Sequence, residues 1–416
     1  IDFNFNARYD EPVSDSAIVS TEITYKSLSL KNDRKVHDFD TVTGEFSTFN
    51  SLLSNTINQN INSLYAVMGY DLNKTKFRFF FNANLEINNN DFHSFFNNDN
   101  IDFRKNFIFP NYNTRFVYKF SSSKSLELSN QSDFTAPQMT AVNPYIDLSN
   151  PLLTTHGNPD LKSTWKNTSS IYFVNKNLTK HITHSTSLKF SYTDNNVSDF
   201  SYYDDTGRQF RTFANISGNK TLSWDSRFSK TYKWDKNEFR ISPSFLTSYT
   251  HRKGFVDGVQ YTNTIYNIAP KMTVRLNLRD ILDLTGSANL NYNFSNYTNY
   301  RIDRTRAAQQ NYTIGMVTYF LKSNLYFTND INVTKNNNIS AGFNRTSYFW
   351  NSSVNYKFYK KQMTLRFNMN DVLNQRQNAI RNIGDNYIED REELVLKRYF
   401  MLSLMMNLNK FGGKKS

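Results

Sequence analysis

The chain has 416 residues, no cysteine and a formal net charge of +13. The missing cysteines exclude a disulfide framework, a thiolate metal site and a thiol nucleophile, and are compatible with an oxidising envelope compartment. Its lysines and arginines are scattered between Asn, Ser and Asp instead of forming blocks, which argues against nucleic acid as a partner.

Hydrophobic residues make up 38% of the chain and aromatic ones 16%, so aromatics are abundant where aliphatics are scarce. A membrane strand that turns one side chain to lipid and the next to a wet interior has this balance, because half of its positions stay polar. No stretch approaches the roughly 20 consecutive apolar residues of a spanning helix. Only a closed barrel then keeps every backbone amide paired in hydrocarbon.

Period-two alternation runs from one end of the chain to the other. Ile1 to Asp10 opens like a strand interior, with Phe3, Phe5 and Ala7 against Asp2, Asn4 and Asn6. No secretory leader opens the sequence, which reads as truncated at its start or processed. Residues 77–88 set Phe77, Phe79, Phe81, Ala83, Leu85 and Ile87 on one face and Arg78, Asn82, Asn84, Glu86 and Asn88 on the other. The segments 271–279, 284–294 and 363–370 alternate as cleanly, and weaker patterns lie near 16–30, 57–71, 114–121, 165–175, 185–193, 222–232, 239–250, 311–321, 325–334 and 353–360. The count comes to roughly 16–18 strands. Their usual length, about nine to twelve residues, exceeds the soluble average of about 5–6 and matches a tilted membrane strand.

Many strand ends carry Tyr or Trp, as at Tyr192, Tyr232 with Trp234, Tyr249, Tyr297 with Tyr300, Tyr348 with Trp350, and Tyr356 with Tyr359. Such residues suit the two water–lipid interfaces. Short polar turns near 71–74, 121–124, 175–177, 233–237, 280–283 and 360–361 alternate with longer polar stretches at 89–103, 134–162, 194–212, 296–308 and 371–395. The short set is expected to face the periplasm and the long set the exterior. With 13 glycines, a propeller or β-helix punctuated by Gly fits poorly. The expected fold is an all-β, antiparallel up-and-down transmembrane barrel over 1–411, with 134–162 an external loop and 412–416 a short basic tail.

Two segments resemble the TonB-dependent receptors of the Bacteroidetes outer membrane, of the outer-membrane β-barrel type. One is 143–174, where Asn150-Pro151 is followed by Gly157-Asn158-Pro159, Leu161 and Lys162 before alternation resumes. Gly-Asn-Pro is also a turn on its own chemistry. The other is 367–413, with Asn370 to Gln375, Asn386 to Asp390 and Arg398 to Leu402, and a last strand setting Phe400, Leu402, Leu404, Met406 and Leu408 on one face. Met406 and Leu408 stand where such strands commonly end in an aromatic, and Phe411 has the opposite parity. The resemblance implies a barrel of about 22 strands with a plug, preceded by a TonB box, the first strands and plug lying outside this chain. It further implies import of an unidentified nutrient, energised by the TonB complex, with a surface lipoprotein or other envelope subunit as a conceivable partner. Outer-membrane lipid and lipopolysaccharide would surround the barrel.

Chemistry in the usual sense is not expected. His181 and His184, the only near-neighbouring histidines, are three residues apart and fall on opposite faces of a strand, so no metal site is assigned. The acidic pairs Asp204-Asp205 and Glu392-Glu393, with Asp390, lack calcium-loop spacing. Cationic loops at Asp33 to Lys35, Arg301 to Arg306 and Arg376 to Arg381 suit acidic ligands, lipopolysaccharide or simple solubility. There is no nucleophile with its base, no phosphate-cradling Gly loop and no dinucleotide fingerprint, so no enzyme activity, catalytic residue or cofactor is expected. The resemblance places substrate contacts on external loops and the upper interior wall, which makes 134–156, 194–212 and 296–308 the candidate regions, with no single residue assigned. A barrel that docks partners without importing, and a soluble all-β binding protein, are the competing readings.

Overall fold

The computed structural model describes residues 3–406, apart from 97, 98, 145, 151, 301, 340, 341, 343, 377 and 384–387. The chain opens with β1 (Phe3–Ser14) and β2 (Ala17–Arg34), continues through a short hairpin, β3 (His37–Asp40) and β4 (Glu45–Phe49), and enters β5 (Asn55–Asn73), β6 (Phe77–Phe96), β7 (Asp99–Ser121) and β8 (Lys124–Thr135). A helical turn α1 (Met139–Val142) and two short strands, β9 (Ile146–Asn150) and β10 (Leu153–His156), lead to β11 (Thr164–Asn177) and β12 (Ile182–Asp194). A second hairpin, β13 (Asn196–Tyr203) and β14 (Gln209–Ile216), precedes β15 (Asn219–Trp234), β16 (Asn237–Val256), β17 (Val259–Leu278), β18 (Leu282–Thr298) and β19 (Arg304–Phe320). The chain closes through β20 (Leu325–Asn336), β21 (Thr346–Phe358), β22 (Met363–Asn370), the hairpin β23 (Asn378–Ile383) and β24 (Ile388–Glu393), and β25 (Tyr399–Met406).

Seventeen of these strands form one antiparallel meander in which each pairs with the next long strand, from β1 and β2 through β5 to β8, β11, β12, β15 to β22 and finally β25. The count falls inside the range expected from alternation. Among the described residues β1 pairs with β2 and β25 with β22, and no pairing joins β1 to β25. No helix among the described residues is long and apolar enough to cross a membrane.

Register explains why the two faces differ. The row Leu128, Ile171, Leu188 and Trp224 crosses four strands on one face, and the neighbouring row Ser129, Ser170, Lys189 and Ser223 crosses the same strands on the other. The apolar row continues through Thr247, Ile268 and Tyr292. Leu128, Ile171, Leu188 and Trp224 are all exposed, which in water would be a large unpartnered apolar belt and in lipid is a satisfied one. On the polar face hydroxyls and amides bond laterally, as Ser129 Oγ with Ser170 Oγ at 2.7 Å and Asn267 Nδ2 donating to Asn291 Oδ1 at 2.6 Å. The hollows of the sheet are lined from this polar face, so it is the concave interior.

The two ends of the meander are unlike. At one end, tight turns follow β1, β6's entry, β7, β11, β15, β17, β19 and β21, several taking left-handed φ at Asp235 (49°), Asp280 (60°) and Lys322 (54°). At the other lie β3–β4, residues 136–163, 195–218 and 371–398. Two of the long stretches expected as loops are corrected here. Most of 89–103 is strand, because β6 and β7 run to 20 and 23 residues. Their polar outer parts stay paired through amide ladders and through Phe92 stacked on Phe103 at 5.7 Å. Likewise 296–308 shrinks to the connection 299–303, since β18 and β19 extend into it. The end of the last strand beyond Met406, the boundary at 411 and the tail lie outside the described residues.

Aromatic placement follows parity. Tyr192, Tyr232, Tyr249, Tyr348 and Tyr356 share the apolar outer face of their strands, Tyr249 lying 5.3 Å from Tyr266. Tyr297 is an exception to the girdle expectation: it has interior parity and stacks on Tyr300 at 4.7 Å.

Candidate functional site

The long-loop end is built, not loose. β9, β10, β13 and β14 make a second sheet of four strands, with β10 parallel to β14. One face of it closes over a small core of Ala141, Val142 and Leu161, joined by Phe103 from β7 and by Val197 and Phe213. Its other face sets Phe200 edge-on against Phe255 of β16 at 5.2 Å, while the Gly258 N–H donates to Ser201 O at 2.9 Å. The cap is thereby fixed to the tip of the β16–β17 hairpin.

The Gly157 to Lys162 segment is what knots this cap. Gly157 passes so close to Asn143 that a Cβ there would lie 1.9 Å from the Asn143 carbonyl oxygen. The Asn158 N–H donates to Ala141 O at 2.6 Å, its side-chain amide donates to Phe213 O at 2.8 Å, and its Oδ1 accepts the Asp160 N–H at 2.9 Å. Lys105 Nζ donates to Pro159 O at 2.6 Å, Leu161 is 1% exposed, and the Lys162 N–H donates to Asn215 Oδ1 at 2.7 Å. The backbone of this segment and the Asn158 side chain are thereby engaged in holding the cap.

The second motif behaves alike. Asp371, buried and in the left-handed region at φ 50°, accepts the N–H groups of Gln375 and Arg376 at 3.0 and 3.1 Å, while its own N–H donates to Asn351 Oδ1 at 3.0 Å. Asn374 Oδ1 accepts the Arg398 N–H at 3.2 Å, tying the start of the loop to its return. Arg376 lies over the Phe349 ring at 5.1 Å, so this member of the cationic loop is partly used in packing. Residues 384–387 of the same resemblance lie outside the described residues.

The interior wall is where polar groups face open space. Between β18 and β22 a hollow of about 640 Å³ is lined by Asp283, Asp330, Asn332, Asn351, Arg366 and Asn368. Two smaller hollows, about 600 and 370 Å³, lie on β12, β15 to β17 and on β11 to β16. On β1 to β8 the interior arginines are paired: Arg8 with Asp10, Arg78 with Asp71, Arg115 with Glu127.

The histidines do not converge. His181 sits in a turn at φ 48°, whereas His184 contacts Ser226 on β15, and no group of three or more metal-binding side chains exists among the described residues. Asp204 holds the β13–β14 turn, its Oδ1 accepting the Thr206 hydroxyl at 2.7 Å and the N–H groups of Thr206 and Arg208 at 3.0 and 2.9 Å. Those bonds, the Thr206 hydroxyl first, lower the Asp204 carboxyl below its ordinary value. The spacing of Asp204 and Asp205 says nothing of this turn; the signal available in the sequence is Asp204 three residues before Gly207, which takes φ 81°.

Comparison with known proteins places this architecture. Searching curated protein sequences returns no match. Among solved structures, the outer membrane transporter YddB from Escherichia coli is 10% identical, with 97% of this chain and 75% of that one covered at a TM-score of 0.25. The ferric-catecholate import receptor Fiu from E. coli is 9% identical, with 97% and 73% covered at 0.27, and a bacterial polysaccharide outer membrane secretin is 8% identical, with 86% and 98% covered at 0.23. A family model described as the outer membrane protein beta-barrel family matches residues 2–279 and 257–405. The chain belongs to the outer membrane protein beta-barrel family, and its barrel resides in the outer membrane.

Proposed function

We propose that this barrel is a receptor and transporter that takes up a nutrient through its interior, energised by TonB. The observation that carries the reading is a folded cap beside a hollowed polar wall: the cap core packs on Phe103, on the interior face of β7, while Phe200 rests on Phe255 at the tip of β16, on the outer-face side of that strand. The arrangement suits capture at the exterior followed by passage along the wall. TonB coupling, a plug and a surface lipoprotein partner come from the resemblance of the two motif segments. Deleting the gene in its host, and separately disabling TonB, should abolish the same solute uptake in a nutrient-limited growth screen. Growth that depends on the barrel but not on TonB would sink the energised import.

A docking role is the second reading, favoured by the β3–β4 hairpin. It pairs Phe39 with Phe46 at 5.3 Å and leaves Val42 and Phe46 92% and 72% exposed at the long-loop end. Exposed apolar side chains on a projecting hairpin suit an envelope partner. Crosslinking from position 42 in intact cells would capture that partner.

A further inference from the structure

We infer that the interior wall formed by β11, β12 and β15 to β17 is a binding track for anionic solutes, those bearing carboxylate, sulfate or phosphate groups. The inference deepens the transport reading and rests on it, because it needs the polar face to line a passage. On β16 the interior positions Arg252, Ser248, Ser244 and Arg240 are four residues apart, about 13 Å per step at strand rise. Each level carries cations. Lys166 joins Arg252 in the uppermost hollow. Lys189 shares the Ser223 and Ser248 row, Arg227 and Lys271 flank Ser244, and Arg240 stands directly opposite Arg275.

Carboxylates balance them only in part: Asp133 stands opposite Lys166, and among the described residues no ion pair joins the two. Asp225 pairs with Arg227 at 3.0 Å and Glu238 with Arg240 at 2.9 Å. Among the described residues no ion pair joins a carboxylate to Lys166, Lys189, Arg252, Lys271 or Arg275, and all five are exposed on the interior side. Elsewhere on the wall the pattern differs: β1 to β8 neutralise Arg8, Arg78 and Arg115, and β18 and β20 contribute Asp283 and Asp330. Arg275 faces Arg240 across neighbouring strands; Glu238 offsets Arg240, and an anion between the rows would offset Arg275 as well. A concave surface of one sign concentrates counter-ions, and hollows of about 370 and 600 Å³ are of small-molecule size. Lysine gives a movable point charge and arginine a fork for two oxygens, so the levels hold an anion without trapping it.

The test uses the full chain in detergent micelles and a trisulfonated pyrene dye, read by fluorescence anisotropy. The native protein should bind the dye with an affinity that falls as salt screens the wall. The variant Lys189→Gln/Lys271→Gln/Arg275→Gln should weaken binding about tenfold, the effect of removing three attractive charges from a wet surface. The conservative Lys189→Arg/Lys271→Arg/Arg275→Lys should restore it, which separates charge from folding damage. Lys360→Gln/Lys361→Gln, two exposed lysines in the tight turn between β21 and β22, should leave it within about twofold. Native-like affinity in the Lys189, Lys271 and Arg275 glutamine variant, or an equal loss in the Lys360 and Lys361 variant, overturns the track. If the dye binds at the wall while cells show no barrel-dependent uptake, the transport reading fails instead.

Discussion

Gly157 lies against Asn143 with no room for a side chain: a Cβ would sit 1.9 Å from the Asn143 oxygen and 2.7 Å from its carbonyl carbon. Backbone atoms at that distance cannot swing aside as a side chain could. Gly157→Ala should therefore push α1 and the loop apart, costing about 1–3 kcal/mol by overpacking. The damage belongs to the cap, since the meander is paired independently of it. Hydrogen exchange should rise across 139–161 and 196–216 while β15 to β19 stay protected; unchanged protection of the cap would refute the close approach.

Asp371 makes a second prediction. Its buried carboxylate accepts the N–H groups of Gln375 and Arg376, two exposed residues, so Asp371→Ala takes the acceptor from both. With water able to replace the lost acceptor, each hydrogen bond removed costs about 0.5–1.5 kcal/mol. Protease cleavage within 371–376 should quicken in that variant, and Asp371→Asn should keep part of the protection because its oxygen still accepts. Equal cleavage in both variants would show that the carboxylate does not hold the loop.

How much of this the sequence disclosed depends on range. Alternation in 77–88 or 284–294 records a local fact, which face each residue takes, and that survives into the register pairs Leu85 with Ala66 and Gly286 with Ile314. The same reasoning stopped strands where Asn and Asp became frequent, because it treated polarity as a loop signal; in β6 and β7 those amides bond across strands, and pairing continues. The cap escaped altogether. Its parallel β10–β14 pair joins residues about fifty apart in sequence, and strands of four to eight residues carry too few positions to alternate visibly. The motif at Gly157 was seen as a turn, but its Asn143 contact is a tertiary fact. The interior cations were each visible, yet their alignment on β16 needed the register.

Face assignment can be tested directly at adjacent residues. Leu188 is exposed on the apolar face between Ile171 and Trp224, whereas Ser187, on the other face, pairs with Tyr172 and Asp225. Leu188→Arg should destabilise the folded barrel by about 2–4 kcal/mol if the residue lies near the lipid midplane. Ser187→Arg should change stability far less, since its side chain points into water beside a carboxylate. Heat-modifiable gel mobility across a urea series in lipid vesicles reads both, and equal losses would mean that the apolar face does not meet lipid.

The turn at Asp204 predicts a pH response confined to the cap. Its carboxyl is depressed below the ordinary 3.8 because the ionised form accepts the Thr206 hydroxyl and the Arg208 and Thr206 N–H groups. A group whose folded value is lowered lends stability that is complete above its unfolded value and disappears as pH falls through the folded one. Order in 204–208 should therefore be flat from neutral pH down to about 4 and decline below it. Measured as amide exchange corrected for its intrinsic pH dependence, the decline should vanish in Asp204→Asn, which cannot titrate. Persistence of the same decline in that variant would assign it to another carboxylate, with the adjacent Asp205 the first to examine.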